Sequence, residues 1–330
     1  MQGIENEIAG YYGLKVNNIF PYKDALVIVT QQGRKLLVRK LPFSAGRLKF
    51  VHYAKEHLAF SGFASTDRYL CTLSGDPCFI YNNSCHVVVD YPAGRESNFD
   101  NDNDVKRAAV TLANLHKASR GYKAPQGCMV QDDLGKLPVF FSKRLDDIRK
   151  MKRKAQKGKG HFDHLFTRYV DYFMELGERT REELISSGYG GVVEKARKEQ
   201  SFCHHDYTHN NIIMDGDSTM VINFEYCRHE IRVYDIANFI RRKMRKCGWN
   251  ITKAEIILDS YNSVDALEND ELSVMKAILQ FPQKLWRVAN RYYNSRRSWS
   301  ERNYVLRLQE IVDEIEPLNE FIRQYCRLYC

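Results

Sequence analysis

The segment Phe202-Cys203-His204-His205-Asp206-Tyr207-Thr208-His209-Asn210-Asn211-Ile212-Ile213-Met214 constrains this chain more than any other. It sets the carboxylate of Asp206 and the amide of Asn211 five residues apart, between His204 and an apolar run. The run Asn211 to Met214 is followed by the turn Asp215-Gly216-Asp217 and a second apolar run, Met220 to Phe224, a pattern that predicts a short hairpin. Phosphoryl transfer needs a base for the acceptor hydroxyl and oxygen ligands for magnesium. A loop of pattern His-x-Asp-x-x-x-x-Asn supplies both: Asp206 can take the proton, and Asn211 can offer its carbonyl oxygen to a metal. A second acid is expected after the hairpin, and Asn223 stands there instead. The amide keeps the shape of a carboxylate and loses its charge, which costs on the order of 10²–10³-fold in rate. Glu225, two residues on, keeps the strand face but not the position.

Other segments extend the pattern through most of the chain. They are Arg47 to Leu58, His86-Val87-Val88-Val89-Asp90-Tyr91-Pro92-Ala93-Gly94, Leu112 to Ser119, and Phe281-Pro282-Gln283-Lys284-Leu285-Trp286-Arg287 through Ser295. With the loop, these resemble the aminoglycoside phosphotransferase and choline kinase superfamily, and within it the bacterial spore-coat CotS family. The resemblance implies an α+β, bilobal protein-kinase-like fold. Residues 1–91 would form an antiparallel β-rich lobe with one helix, and residues 92–330 a helical lobe holding the loop. It also implies that Asp235 is scaffold for that loop.

The resemblance further implies an ATP and magnesium site, with a basic residue on the third strand paired to a helix glutamate. Arg39 and Lys40 both fall on that strand, and period two sends them to opposite faces. The spacing to Arg47-Leu48 favours Arg39 as the inward residue, with Glu56 as its partner. Arginine contacts phosphate with a geometry unlike lysine's. The turn Pro21-Tyr22-Lys23-Asp24, where a phosphate-covering loop belongs, has no glycine to let backbone amides approach closely. The expected metal ligands are Asn211 with Asn223 or Glu225.

Periodicity predicts strands over Val16 to Pro21, Ala25 to Thr30 and Lys35 to Leu41, and an amphipathic helix from Arg47 to Phe60. Further strands are expected at Arg68 to Leu73, Cys78 to Tyr81 and His86 to Tyr91. Asp104 is the expected N-cap of a helix ending at Ala118. Long helices are expected over Phe162 to Ser186 and residues 251–264, 269–294 and 300–328.

No apolar run is long enough to span a membrane, and Met1 to Glu7 lacks the form of a signal sequence. Nine cysteines form no CxxC pair; Cys71, Cys78 and Cys85 read as small residues of a strand-rich lobe rather than metal ligands. His204 reads as a brace for its loop, and His205 and His209 as flanking residues, because no tetrahedral zinc set accompanies them. Trp249, Trp286, Tyr292, Tyr293 and Trp299 could form a cage for a quaternary ammonium but read first as helix packing. The net charge of +9 has a concentrated source between Lys143 and Lys159, read as a solvated helix end running into Lys157-Gly158-Lys159-Gly160. A second cluster runs from Arg241 to Lys246, and no motif for reading nucleic acid is present.

These readings predict a kinase-fold spore-coat protein, a component or assembly factor with weak or lost ATP-dependent phosphotransfer. Its expected partners are other coat proteins, with a nucleotide and a small-molecule acceptor as further candidates. The mother-cell cytoplasm and then the coat are its expected locations. The alternative is an active phosphotransferase, choline- or aminoglycoside-like, with Asp206 as base.

Overall fold

The computed structural model describes residues 3–295 and 299–329; the side chains of Arg245 and Lys246, part of the second basic cluster, lie outside the described residues, as do Met1 and Gln2 of the N-terminal segment. The chain divides into two compact units. One comprises Met1–Asp132 with Glu199–His229, the other Asp133–Lys198 with Glu230–Cys330. The first therefore holds the segment 1–91 together with residues 92–132 and the loop-hairpin segment 199–229.

The first unit begins with a helix absent from the sequence expectations, α1 (Ile4–Tyr12). Its buried residues, Ile4, Ile8 and Tyr12, share one face, and Gly13 closes the helix in the left-handed region at φ 65°. Then come β1 (Val16–Tyr22), β2 (Ala25–Thr30), β3 (Lys35–Leu41), α2 (Ala45–Phe60), β4 (Phe79–Tyr81) and β5 (Ser84–Asp90). The five strands form one antiparallel sheet in the order β1-β2-β3-β5-β4. Ile28, Leu36, Val38 and Val88 bury one face of it against Ile4, Ile8 and Tyr12. Strand alternation sends Arg39 to the opposite face, half-buried, and leaves Lys40 exposed.

Arg68 to Leu73 is not a strand. Tyr69 makes a single bridge to Val89, and the chain then turns where Thr72 N donates to Asp76 O at 2.8 Å. After β6 (Arg95–Glu96) comes α3 (Asp102–Ser119). Its N-cap is Asn101, whose Oδ1 accepts from Asn103 N at 2.8 Å; Asp104 instead takes both guanidinium nitrogens of Arg95. Gly94, at φ 103°, lets the chain pass the hairpin, because a Cβ there would lie 2.4 Å from Met214 O.

The second unit is helical. It contains α4 (Leu137–Ala155), α5 (His161–Ser186) and α6 (Tyr189–Glu199). The first unit's hairpin strands β7 (Ile212–Asp215) and β8 (Ser218–Val221) follow in the chain, with β6 beside β7. The helical unit resumes with α7 (Val233–Cys247), α8 (Ile251–Asn262), α9 (Asn269–Gln280), α10 (Gln283–Asn294), α11 (Glu301–Asp313) and α12 (Ile315–Tyr329). The helix expected over residues 269–294 is broken at Phe281-Pro282, because proline lacks an N–H and biases the preceding residue to extended backbone; Phe281 has ψ 134°. The helix expected over 300–328 is divided at Glu314; Pro317, in the first turn of the second helix, has no N–H to carry the hydrogen-bond ladder back across the break. Phe162, Phe166, Leu285, Ala289, Tyr292 and Tyr304 form the core of this unit. Gly177 lets α5 approach α4: a Cβ there would meet Leu145 Cδ2 at 2.6 Å. Among the described residues, no helix is long and apolar enough to cross a membrane.

Candidate functional site

The loop after Phe202 is built around His204, which is fully buried. Its Nε2–H donates to Ile222 O at 3.0 Å, and its Nδ1 accepts from Asp206 N at 3.2 Å. A carbonyl can only accept, so the first bond selects the neutral Nε2–H tautomer and the second uses the remaining lone pair. His204 thereby ties the loop to the far side of the hairpin, as the sequence suggests. His205 is half-buried at φ 68°, and His209 is exposed and packs edge-on against Phe99.

Asp206, Asn211 and Asn223 come together in a line. Asn223 Nδ2 donates to Asn211 Oδ1 at 2.7 Å, and Asn211 Nδ2 donates to Asp206 Oδ2 at 3.1 Å and to Asp206 O at 2.8 Å. Asn223 sits in the left-handed region, φ 67° and ψ 58°, a conformation asparagine tolerates better than most residues. Its own N–H donates to Asp67 Oδ2 at 3.1 Å.

Arg39 reaches Glu225 at 2.8 Å and Asp67 at 3.9 Å. Tyr69 donates its hydroxyl to the same Glu225 oxygen at 3.1 Å. Lys55, fully buried on α2, lies 2.8 Å from Asp67 Oδ1, donates to Asp67 O at 2.6 Å, and stands 3.8 Å above the Tyr69 ring. Burial raises the Glu225 carboxyl pKa, but Arg39 and Lys55 outweigh it and hold the group below its ordinary value. Burial and the adjacent Glu225 charge push the Tyr69 hydroxyl well above its usual range. Arg47 clamps the same turn from α2, donating to Glu225 O at 2.8 Å and to Cys227 O.

The expected Arg39–Glu56 pair does not form. Glu56 faces outward and binds Arg68, while Glu225 and Asp67 take its place beside Arg39. Helix geometry explains the exchange: Lys55, seven residues after Leu48 and four after Val51, falls on the buried stripe, and its neighbour Glu56 is turned away. A lysine on an apolar stripe is a sequence signal for a buried acid. Asp67 itself carried no such signal, because its segment has neither helical nor strand regularity.

Magnesium takes oxygen ligands in near-octahedral geometry and usually includes carboxylates. Here Asn211 Oδ1 accepts an amide N–H from Asn223, which turns a donor rather than an oxygen towards it. Glu225 is neutralised by Arg39, and Asp67 by Lys55. As placed, these residues do not fit a magnesium site. The turn between β1 and β2 is a tight one at Lys23-Asp24, with Lys23 at φ 53° and its ammonium paired with Glu96. Lys40 contacts none of this network and is exposed.

The antiparallel sheet, the helical unit and the His204-to-Asn211 loop define a kinase-like fold of the aminoglycoside phosphotransferase type. The chain belongs to the family described as spore coat putative kinase YutH, whose model matches residues 5–325. It is similar to Spore coat protein S of Bacillus subtilis (strain 168), with 20% identity over 334 residues, covering 99% of this chain and 95% of that one. Among solved structures it resembles an aminoglycoside phosphotransferase from Alicyclobacillus acidocaldarius, with a TM-score of 0.84 and 21% identity over 98% of this chain and 96% of the other. A spectinomycin phosphotransferase solved with ADP and spectinomycin aligns over 98% of each chain, with a TM-score of 0.61 and 11% identity.

Proposed function

We propose that this chain is a kinase-fold component or assembly factor of the bacterial spore coat, with weak or lost ATP-dependent phosphotransfer. One observation carries the second half of this reading: Asn223, Asn211 and Asp206 are joined by amide hydrogen bonds that need no metal. A carboxylate at position 223 would face Asn211 Oδ1 and the Asp206 carboxylate and would call for a cation between them. The amide supplies a hydrogen instead. The Arg39–Glu225 pair supports the same reading, because the strand cation is already matched by an internal acid. The coat half rests on family membership and on the similarity to Spore coat protein S.

A calorimetric titration of the full chain with ATP and magnesium, with a parallel thermal-shift measurement, tests the phosphotransfer half. No heat and no shift are expected. Turnover of ATP that disappears in Asp206→Ala would overturn it. A fluorescent fusion tests the coat half: signal confined to sporulating cells and ending in the coat is expected, and steady production in vegetative cells would count against it.

A second reading, magnesium-ATP-dependent transfer to a small choline- or aminoglycoside-like acceptor, is favoured by one observation. Asp206 and Asn211 keep the spacing and contact of a base and its neighbouring ligand. In that reading Asp206 is the base, and Asn211 with Asn223 or Glu225 would have to exchange their present partners for the metal.

A further inference from the structure

The helical unit holds a pocket with a cavity volume of about 100 Å³ that opens partly to solvent. Phe173 of α5, Trp249 and Phe281 give it aromatic walls. Its charge is one-sided. The described lining carries Arg241, Arg242, Lys284 and Arg287 against a single acid, Glu314, and Lys284 already pairs with that acid at 2.8 Å. Arg287 is exposed and makes no ion pair with a carboxylate among the described residues.

Arg144 of α4 lies nearby, half-buried, with its guanidinium 5.2 Å from the Trp286 ring centroid. Burial holds it below the usual arginine range, Tyr234 pulls it up, and Arg287 pushes it further down. The two cations repel each other, a cost that an anion held between them would relieve. The cavity wall also carries unmet polar atoms. Trp249 Nε1 and Gln280 Oε1 are both buried and have no hydrogen-bond partner among the described residues. A buried donor or acceptor left unpaired is unfavourable, and a ligand hydroxyl can meet either kind. Trp249 is also held at φ 59°, a conformation a bulky residue rarely adopts, and it packs edge-on against Phe321 of α12.

We infer that this cavity binds a small hydroxylated organic anion, with its carboxylate or phosphate at Arg287 beside Arg144 and its hydroxyl-bearing body against the aromatic walls. The same charge disfavours a cationic occupant such as choline or an aminoglycoside. Of the other aromatics that could have caged a quaternary ammonium, Trp286 faces Arg144 and donates to Asp147 at 3.1 Å, and Tyr292 stacks on Phe162. Binding here needs neither nucleotide nor magnesium, so the inference stands apart from the phosphotransfer question.

The test is calorimetric titration of the full chain, without nucleotide or magnesium, using glucuronate and glycerol phosphate as anionic probes, sorbitol as a neutral polyol and choline as a cation. At least one anion is expected to bind, with sorbitol and choline on the order of tenfold weaker or more, since a charge-assisted hydrogen bond is roughly twice as strong as a neutral one. The glucuronate and glycerol phosphate arms distinguish a carboxylate from a phosphate ligand. Arg287→Glu, an exposed change that leaves the helix intact, is expected to weaken the anion on the order of tenfold or more while the melting temperature is kept. No binding of either anion at millimolar concentration, choline or sorbitol matching the anions, or affinity unchanged in Arg287→Glu would overturn the inference. Inorganic phosphate binding as tightly as glycerol phosphate would also overturn it, because the cavity would then contribute nothing.

Discussion

Arg39 Nη1 lies 2.8 Å from Glu225 Oε1, joining the third strand of the sheet to the turn that follows Asn223. The pair is almost fully withdrawn from water, with side-chain exposures of 15% and 4%. Such a pair is a weak source of net stability but a costly one to break, because removing one partner strands a buried charge. Arg39 thus serves as a structural cation for Glu225.

That role predicts a non-additive cycle. Arg39→Met and Glu225→Met are each expected to destabilise by about 3–5 kcal/mol, and the double Arg39→Met with Glu225→Met by clearly less than the sum of the two single losses. Urea unfolding of the singles and the double checks this. Additive losses would mean the two side chains act independently.

Acid should weaken the same pair. The folded Glu225 carboxyl sits below its ordinary value of 4.5, so the unfolded chain binds the proton more readily. Its contribution is therefore fully present above pH 4.5 and is lost as pH falls through the depressed folded value. The stability gap between the parent and Glu225→Gln is expected to narrow below pH 4.5 and to hold constant above it, as read from denaturation midpoints across pH.

Lys55 and Glu56 are sequence neighbours with opposite environments. Lys55→Met leaves Asp67 buried without its ammonium and is expected to cost about 3–5 kcal/mol. Glu56→Gln removes only the partly exposed pair with Arg68 and is expected to cost no more than about 1 kcal/mol. Equal losses from the two variants in thermal unfolding would contradict the observed pairing.

Asn223→Asp probes the amide line directly. Without metal, the variant is expected to melt below the parent, because a carboxylate replaces the donor to Asn211 and adds a like charge near Asp206. Magnesium should then raise its melting temperature while leaving the parent unchanged, since a ligand of the folded state alone stabilises it by mass action. A thermal-shift titration with magnesium and with a chelator distinguishes the two. A parent that responds as strongly as the variant would show that Asn223 does not exclude the ion.

The sequence by itself determined the elements that depend on local pattern. Alternation over Val16 to Leu41, the apolar stripe of α2 and the spacing from His204 to Asn223 define the strands, the helix and the loop-hairpin, because periodicity and turn chemistry act over a few residues. It also reduced the strand cation to Arg39 or Lys40. It underestimated the punctuation by Pro282 and Pro317, where a single missing N–H outweighs a long helical pattern. Only the tertiary structure decided which charges meet. Glu225 is 186 residues from Arg39, and Asp67 is 156 from Asn223; no periodicity links positions so far apart. Burial strengthens electrostatics and penalises every unpaired charge, so the packing of α2, the Asp67 segment and the hairpin selects Glu225 over Glu56 for Arg39. The same packing brings Asn223 to Asn211 and turns an apparent metal site into a hydrogen-bonded line of amides.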